Sequence, residues 1–153
     1  LKANATHPEI RVIKHYDQLP FVACYPGQLN QVFMNILANA IDALNDANTQ
    51  RSDQEIEENS SCITICTDVI DSDWVQIKIA DNGSGMSETV KQRIFDPFFT
   101  TKPVGQGTGL GMPISYRIVV EKHGGKLNCI STPNQGTEFV IQIPIRQPGL
   151  DAF

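Results

Sequence analysis

The chain has 153 residues with a net charge of −5 and an ordinary balance of apolar and charged residues. That length fits one domain able to bury about two-thirds of its unfolded surface. No apolar run reaches the roughly 18 residues of a membrane span and no signal peptide opens the chain, and the acidic balance argues against nucleic acid or an anionic membrane as partner. Cys24, Cys62, Cys66 and Cys129 lack zinc-site spacing and read as reduced thiols of a cytosolic protein.

Residues 1–9 are polar and read as a linker from an upstream domain. Ile10 to Tyr16 alternates as an edge strand, and Phe21–Tyr25 reads as a second short extended piece before Pro26-Gly27. From Gln28 to about Asn45 the pattern turns helical: Leu29, Val32, Phe33, Ile36, Leu37, Ala40, Ile41 and Leu44 recur at i, i+3, i+4, i+7. Residues 46–60 hold Asp46, Asp53, Glu55, Glu57 and Glu58 with little apolar content, and read as a solvated loop. Strands are predicted over 61–70 and 74–81, with Asp71-Ser72-Asp73 as their turn. Ser87 caps a short helix to about Phe95.

Pro97, Pro103, Gly105, Gly107 and Gly109 make residues 96–109 a loop. A helix then starts near Leu110 and ends at His123 before Gly124-Gly125. Strands at 126–132 and 137–145 close a domain predicted over 10–146, leaving 147–153 as a tail. Strand pairs joined by short turns, with helices between them, indicate an α+β sandwich with a mixed, mostly antiparallel sheet packed on one face by helices.

Three features carry chemistry. Gln28, Gln31, Asn35, Asn39 and Asp42 form a second stripe on the long helix, without the lysine, glutamate or arginine of an ordinary solvated face. Amide oxygens there suit Mg²⁺, although a polar stripe is also simply the wet side of a helix. Asp81 continues the face of Val75, Ile77 and Ile79, and the run Asp81-Asn82-Gly83-Ser84-Gly85-Met86 follows. An ionised carboxylate accepts without donating, which suits the amino group of adenine and penalises a 6-oxo group. As a bare motif it also fits a hairpin turn. Gly105-Gln106-Gly107-Thr108-Gly109-Leu110-Gly111 runs into a helix and offers free amides for phosphate, or is a flexible loop. It is neither a P-loop nor a dinucleotide fingerprint. Between the two glycine regions, Phe95, Phe98 and Phe99 are expected to bury their rings and anchor a loop, with Lys102 in reach of a phosphate.

In this order the pieces resemble the catalytic, ATP-binding domain of sensor histidine kinases, within the group of gyrase, Hsp90, histidine kinase and MutL. Asn35-Ile36-Leu37-Ala38-Asn39-Ala40 resembles the N box, Asp81–Met86 the G1 box and Ile94–Lys102 the F box. Gly107-Thr108-Gly109-Leu110-Gly111 resembles G2, and Gly136-Thr137-Glu138-Phe139 the last glycine-threonine element. The resemblance implies that Asn39 ligates Mg²⁺ and that Asn35 lines the same phosphate end. It implies that Asp81 binds the adenine amino group with help from Thr137. Gly83, Gly85, Gly107, Thr108, Gly109, Leu110 and Gly111 would close the backbone around ATP, with 96–109 as the lid.

Related ATPases carry a glutamate where this chain has Asn35, and a neutral amide is no general base for hydrolysis. Transfer to a histidine needs mainly positioning and charge neutralisation, so a kinase is favoured. Many relatives place a lysine where Asp42 stands, which leaves more neutralisation to Lys102 and Arg93. His7, His15 and His123 lack an acceptor-box context. The implied partners are therefore an upstream dimerisation and phosphoacceptor domain and a response regulator. A serine kinase of the anti-sigma-factor kind and a non-catalytic nucleotide-sensing scaffold are the alternatives.

Overall fold

A computed structural model describes residues 8–99 and 110–147. The elements are β1 (Arg11–Tyr16), α1 (Pro26–Asn48), α2 (Asp53–Glu58), β2 (Cys62–Ile70), β3 (Trp74–Asp81), α3 (Glu88–Lys91), α4 (Gly111–Tyr116), β4 (Lys126–Thr132) and β5 (Gly136–Pro144). Arg117–Lys122 continues α4 as π-helical turns. The strands form one sheet in the order β1-β2-β3-β5-β4, with β1 parallel to β2 and the other neighbours antiparallel. This is the mixed, mostly antiparallel sheet expected.

Register explains where the core sits. Cross-strand pairs Val75–Ile143, Ile77–Ile141 and Ile79–Phe139 put these side chains on one face, and Leu127 joins them opposite Ile141. Against that face α1 buries Leu29, Val32, Ile36, Ala40 and Leu44, while Met112, Ile118 and Val119 come from α4 and its continuation. Each large aliphatic side chain buried this way stabilises the fold by about 1.5–3 kcal/mol relative to exposure. The α1 stripe left uncovered by the sheet is therefore fixed in direction by the burial of the other.

Both ends of α1 are fastened by polar contacts. Pro26 occupies its first turn, where a missing N–H costs nothing. The preceding Tyr25 N–H donates to His123 Nε2 at 3.0 Å, and His123 Nδ1 lies 2.8 Å from the Ile118 carbonyl. His123 is thus the helix-end residue expected, but it is buried and ties the start of α1 to the end of α4. At the far end the buried Asn48 donates to Ser61 Oγ at 2.7 Å and accepts from Arg51 Nη1 at 3.0 Å. Arg51 also donates to the carbonyls of Glu55 and Asn59.

Three sequence expectations are corrected. Phe21–Tyr25 is not a strand; its rung to the sheet is the Ala23 N–H to the Ile145 carbonyl at 2.9 Å. The Tyr25 N–H goes to the His123 side chain instead of to a strand, so the segment does not continue as a ladder. Residues 46–60 are not all loop: α1 runs to Asn48, and α2 follows behind a capping box in which Ser52 and Glu55 satisfy each other's backbone N–H. The helix after Ser87 ends at Lys91 rather than near Phe95, and turns follow. The packed unit reaches at least Gln147, whose buried side chain donates to the His123 carbonyl at 2.7 Å.

Candidate nucleotide site

The apolar columns of the sheet end in a polar row. Asp81 lies opposite Thr137, and Thr137 lies opposite Ser131, so all three share the helix-covered face one step beyond Ile79, Phe139 and Cys129. The strand alternation that buries Val75 and Ile79 thus forces a carboxyl group and two hydroxyls into the layer between sheet and helices.

The backbone closes tightly around this row. Gly85 has φ +70° and Gly136 φ +91°. A Cβ at Gly85 would overlap the Thr132 carbonyl oxygen, and one at Gly136 the Asp81 carbonyl oxygen. Glycine is required at both positions, by conformation and by space. Asn134 N–H donates to the Ser84 carbonyl at 2.6 Å and Met86 N–H to Ser131 Oγ at 2.8 Å, so the loop after Asp81 is stitched to the β4–β5 hairpin. Asn82, read from sequence as an ordinary turn residue, fixes the other side: its Oδ1 accepts from Cys62 N–H at 2.8 Å and its Nδ2 donates to the Ser60 carbonyl at 2.9 Å.

Asp81 Oδ1 accepts from Gly83 N–H at 2.9 Å. Burial pushes the carboxyl pKa above its ordinary value, while the Gly83 and Thr137 backbone amides pull it down. Burial also pushes the Cys129 thiol up to about 11; Lys91 opposes this and the Asp81 charge adds to it. Lys91 is itself paired with Glu88 at 2.9 Å.

On α1 the two asparagines differ. Asn35 Nδ2 donates to the Gly111 carbonyl at 3.1 Å and to Ser115 Oγ at 3.2 Å, while Ser115 donates to the same carbonyl at 2.8 Å. This knot pins the first turn of α4 to α1. Asn39, one turn on, is half-buried, and among the described residues its side chain makes no hydrogen bond. Asp42 is half-buried on the same stripe. A Cβ on Gly83 would lie 3.4 Å from the Ala43 carbonyl oxygen, so the loop carrying Gly83 rests on α1 one turn beyond Asn39.

Leu110 is the N-cap of α4, and Gly111 opens the helix. Lys102, Gly107, Thr108 and Gly109 lie outside the described residues. The phenylalanines behave unequally: Phe95 packs on Tyr116 with centroids 5.2 Å apart, Phe99 lies under the Arg93 guanidinium at 4.6 Å, and Phe98 is 73% exposed. The expectation of three buried rings is corrected for Phe98, whose φ of +66° places it on a tight turn. Arg93 also meets Asp96 at 3.5 Å, so its charge is engaged on its own loop. Ser131 was not found from sequence, although its place six residues before Thr137 across a four-residue turn was a usable signal.

A sandwich with an acceptor-only carboxyl group at the sheet end, glycines around it and an amide-bearing helix opposite defines a nucleotide-binding α+β domain. The family described as histidine kinase-, DNA gyrase B- and HSP90-like ATPase matches residues 24–147, and the chain belongs to it. It is 39% identical over 131 residues to sporulation kinase E of Bacillus subtilis (strain 168), covering 86% of this chain and 16% of that protein. It is 38% identical over 121 residues to the two-component sensor PprA of Pseudomonas aeruginosa, covering 79% of this chain and 12% of that one. The chain thus spans less than a fifth of either relative. The solved catalytic domain of histidine kinase ThkA superposes with a TM-score of 0.70 at 29% identity, over 89% of this chain and 80% of that one.

Proposed function

We propose that this chain is the catalytic domain of a two-component sensor histidine kinase. It binds ATP and transfers the γ-phosphoryl group to a histidine on a separate dimerisation domain, which passes it to a response regulator. The observation that carries the nucleotide choice is Asp81: a half-buried carboxylate that can only accept, set at the end of an apolar column. It fits the two-donor amino group of adenine and leaves a 6-oxo group facing negative charge.

Asn39 would hold Mg²⁺. The fit rests on its amide, which among the described residues has no other hydrogen bond and offers a hard oxygen. A metal ion there supplies charge neutralisation at the phosphates. The chain's own residues do the rest. Gly83 lets the backbone approach the base, Gly85 lets the same loop close on the β4–β5 hairpin, and Thr137 supports the Asp81 contact. Asn35 holds Gly111 in place at the phosphate end. Lys102, Gly107, Thr108, Gly109 and Leu110 are assigned to the phosphate-covering segment, and Asp42 to the same stripe as Asn39.

Asn35 also argues for transfer over hydrolysis. Its Nδ2 is spent on Gly111 and Ser115, and an amide takes no proton from water. We assign residues 1–9 to a linker, the domain to 10–147 and the remainder to a tail, and place the domain in the cytoplasm without membrane contact. Among the described residues no helix is long and apolar enough to cross a membrane.

The test is phosphate transfer from labelled ATP to a dimerisation domain carrying its histidine. Acid-labile label on that partner is expected. Acid-stable label would favour a serine kinase, and tight ATP binding without transfer a sensing scaffold.

A further inference from the structure

We infer that Ser131 is a positioning residue: it fixes the direction of the Thr137 hydroxyl and thereby sharpens the choice of an amino over an oxo purine. The inference rests on the assignment of Asp81 and Thr137 to the base-binding end. Ser131 Oγ has three neighbours: Met86 N–H at 2.8 Å, the Gly136 carbonyl at 3.2 Å and Thr137 Oγ1 at 2.8 Å. A serine hydroxyl has one proton to give and two lone pairs to receive with. Met86 N–H can only donate and takes one lone pair. The Gly136 carbonyl can only accept and takes the proton. The remaining lone pair faces Thr137, so Thr137 must donate to Ser131. This arrangement uses every contact at full capacity.

The consequence falls on the free side of Thr137. With its proton committed to Ser131, Thr137 Oγ1 presents lone pairs, as the Asp81 carboxylate beside it does. Two adjacent acceptors match the two N–H bonds of an exocyclic amino group, directly or through a water. A 6-oxo purine brings an acceptor to the same place and finds no donor, so one buried polar atom is left unpaired. Were the hydroxyl of Thr137 free to turn, it could donate to the oxo oxygen and soften the rejection.

The test compares ATP with its 6-oxo analogue, inosine triphosphate, by calorimetry on the full chain with Mg²⁺. Wild type should prefer ATP. Ser131→Ala should narrow the ATP-to-inosine ratio by about 3- to 10-fold, a share of the roughly 1–3 kcal/mol attached to one unpaired buried group, and Ser131→Thr should restore it. Thr137→Val removes the hydroxyl yet leaves the Met86 and Gly136 contacts of Ser131, and should narrow the ratio even where Ser131→Ala folds poorly. In a Thr137→Val background, Ser131→Ala should change the ratio no further. Equal losses for both nucleotides, with the ratio preserved, would assign Ser131 a purely structural part and overturn the inference. A ratio lost in Asp81→Asn but kept in Ser131→Ala and Thr137→Val overturns this inference alone. A wild-type ratio near one, unmoved by Asp81→Asn, overturns the adenine assignment beneath it.

Discussion

The two ends of the site are held by different means. At the sheet end, Asp81, Thr137 and Ser131 are placed by strand register, and the surrounding loops are locked by glycines that admit no side chain. At the helix end, Asn35 and Asn39 lie on one helix a turn apart. One is consumed by holding α4, while among the described residues the other makes no hydrogen bond. On the proposed reading, the sheet end seats the base and the helix end leaves an amide for the reacting phosphates. Identical residue types can therefore differ in task, because packing decides which amide is left over.

The contrast can be broken most severely at the sheet end. Gly136→Ala should cost about 2 kcal/mol or more of stability, since the new Cβ meets the Asp81 carbonyl in a left-handed conformation. Denaturant unfolding measures this, and an unchanged midpoint would show that the hairpin yields. At the helix end, Asn39→Ala should lower transfer on the order of 10²-fold with Mg²⁺, as for loss of one charge-stabilising group. Binding of nucleotide in chelator should be unaffected; an equal loss with and without metal would indicate misfolding.

Asp81→Asn should weaken ATP binding by about 1.5–3 kcal/mol, the scale of a hydrogen bond to a charged group, read by calorimetry. Its effect on stability has the opposite sign. The Asp81 pKa is raised on folding, so its contribution is favourable below about pH 4 and is lost as pH rises through the raised value. At neutral pH the variant should melt higher than wild type, and this gain should vanish in acid. A lower melting temperature at pH 7 would mean that the Gly83 and Thr137 amides outweigh burial.

Asn35→Ala should cost about 1 kcal/mol, for the two bonds to Gly111 and Ser115. If transfer falls while stability holds, Asn35 acts on the phosphates directly and the helix end is less divided than its geometry implies. The smallest effect is at Cys129, whose thiol should resist alkylation until the pH nears 11. Mass spectrometry of labelled peptides across pH checks it.

Where periodicity was strong, the sequence was enough. The α1 repeat, the strands around Trp74 and Leu127, and the Asp81 column follow from alternation and helical spacing, which are local properties. Phe21–Tyr25 misled because an extended pattern says nothing about whether a neighbour's donors are free. The acidic stretch hid α2 because a capping box stabilises a helix that buries none of its residues. Phe98 is exposed although its neighbours pack, which no composition rule separates.

By itself the sequence determined that an acceptor-only group would end an apolar strand, that glycines would flank it and that an amide stripe would oppose it. These follow from side-chain chemistry and from periods of 2 and 3.6 residues. Only the tertiary structure decided that Asn35 is spent on Gly111, that His123 fastens the start of α1, and that Ser131 meets Thr137. Each is a hydrogen bond between residues on different elements, and a donor's partner depends on which acceptors the fold brings within 3 Å or so of it.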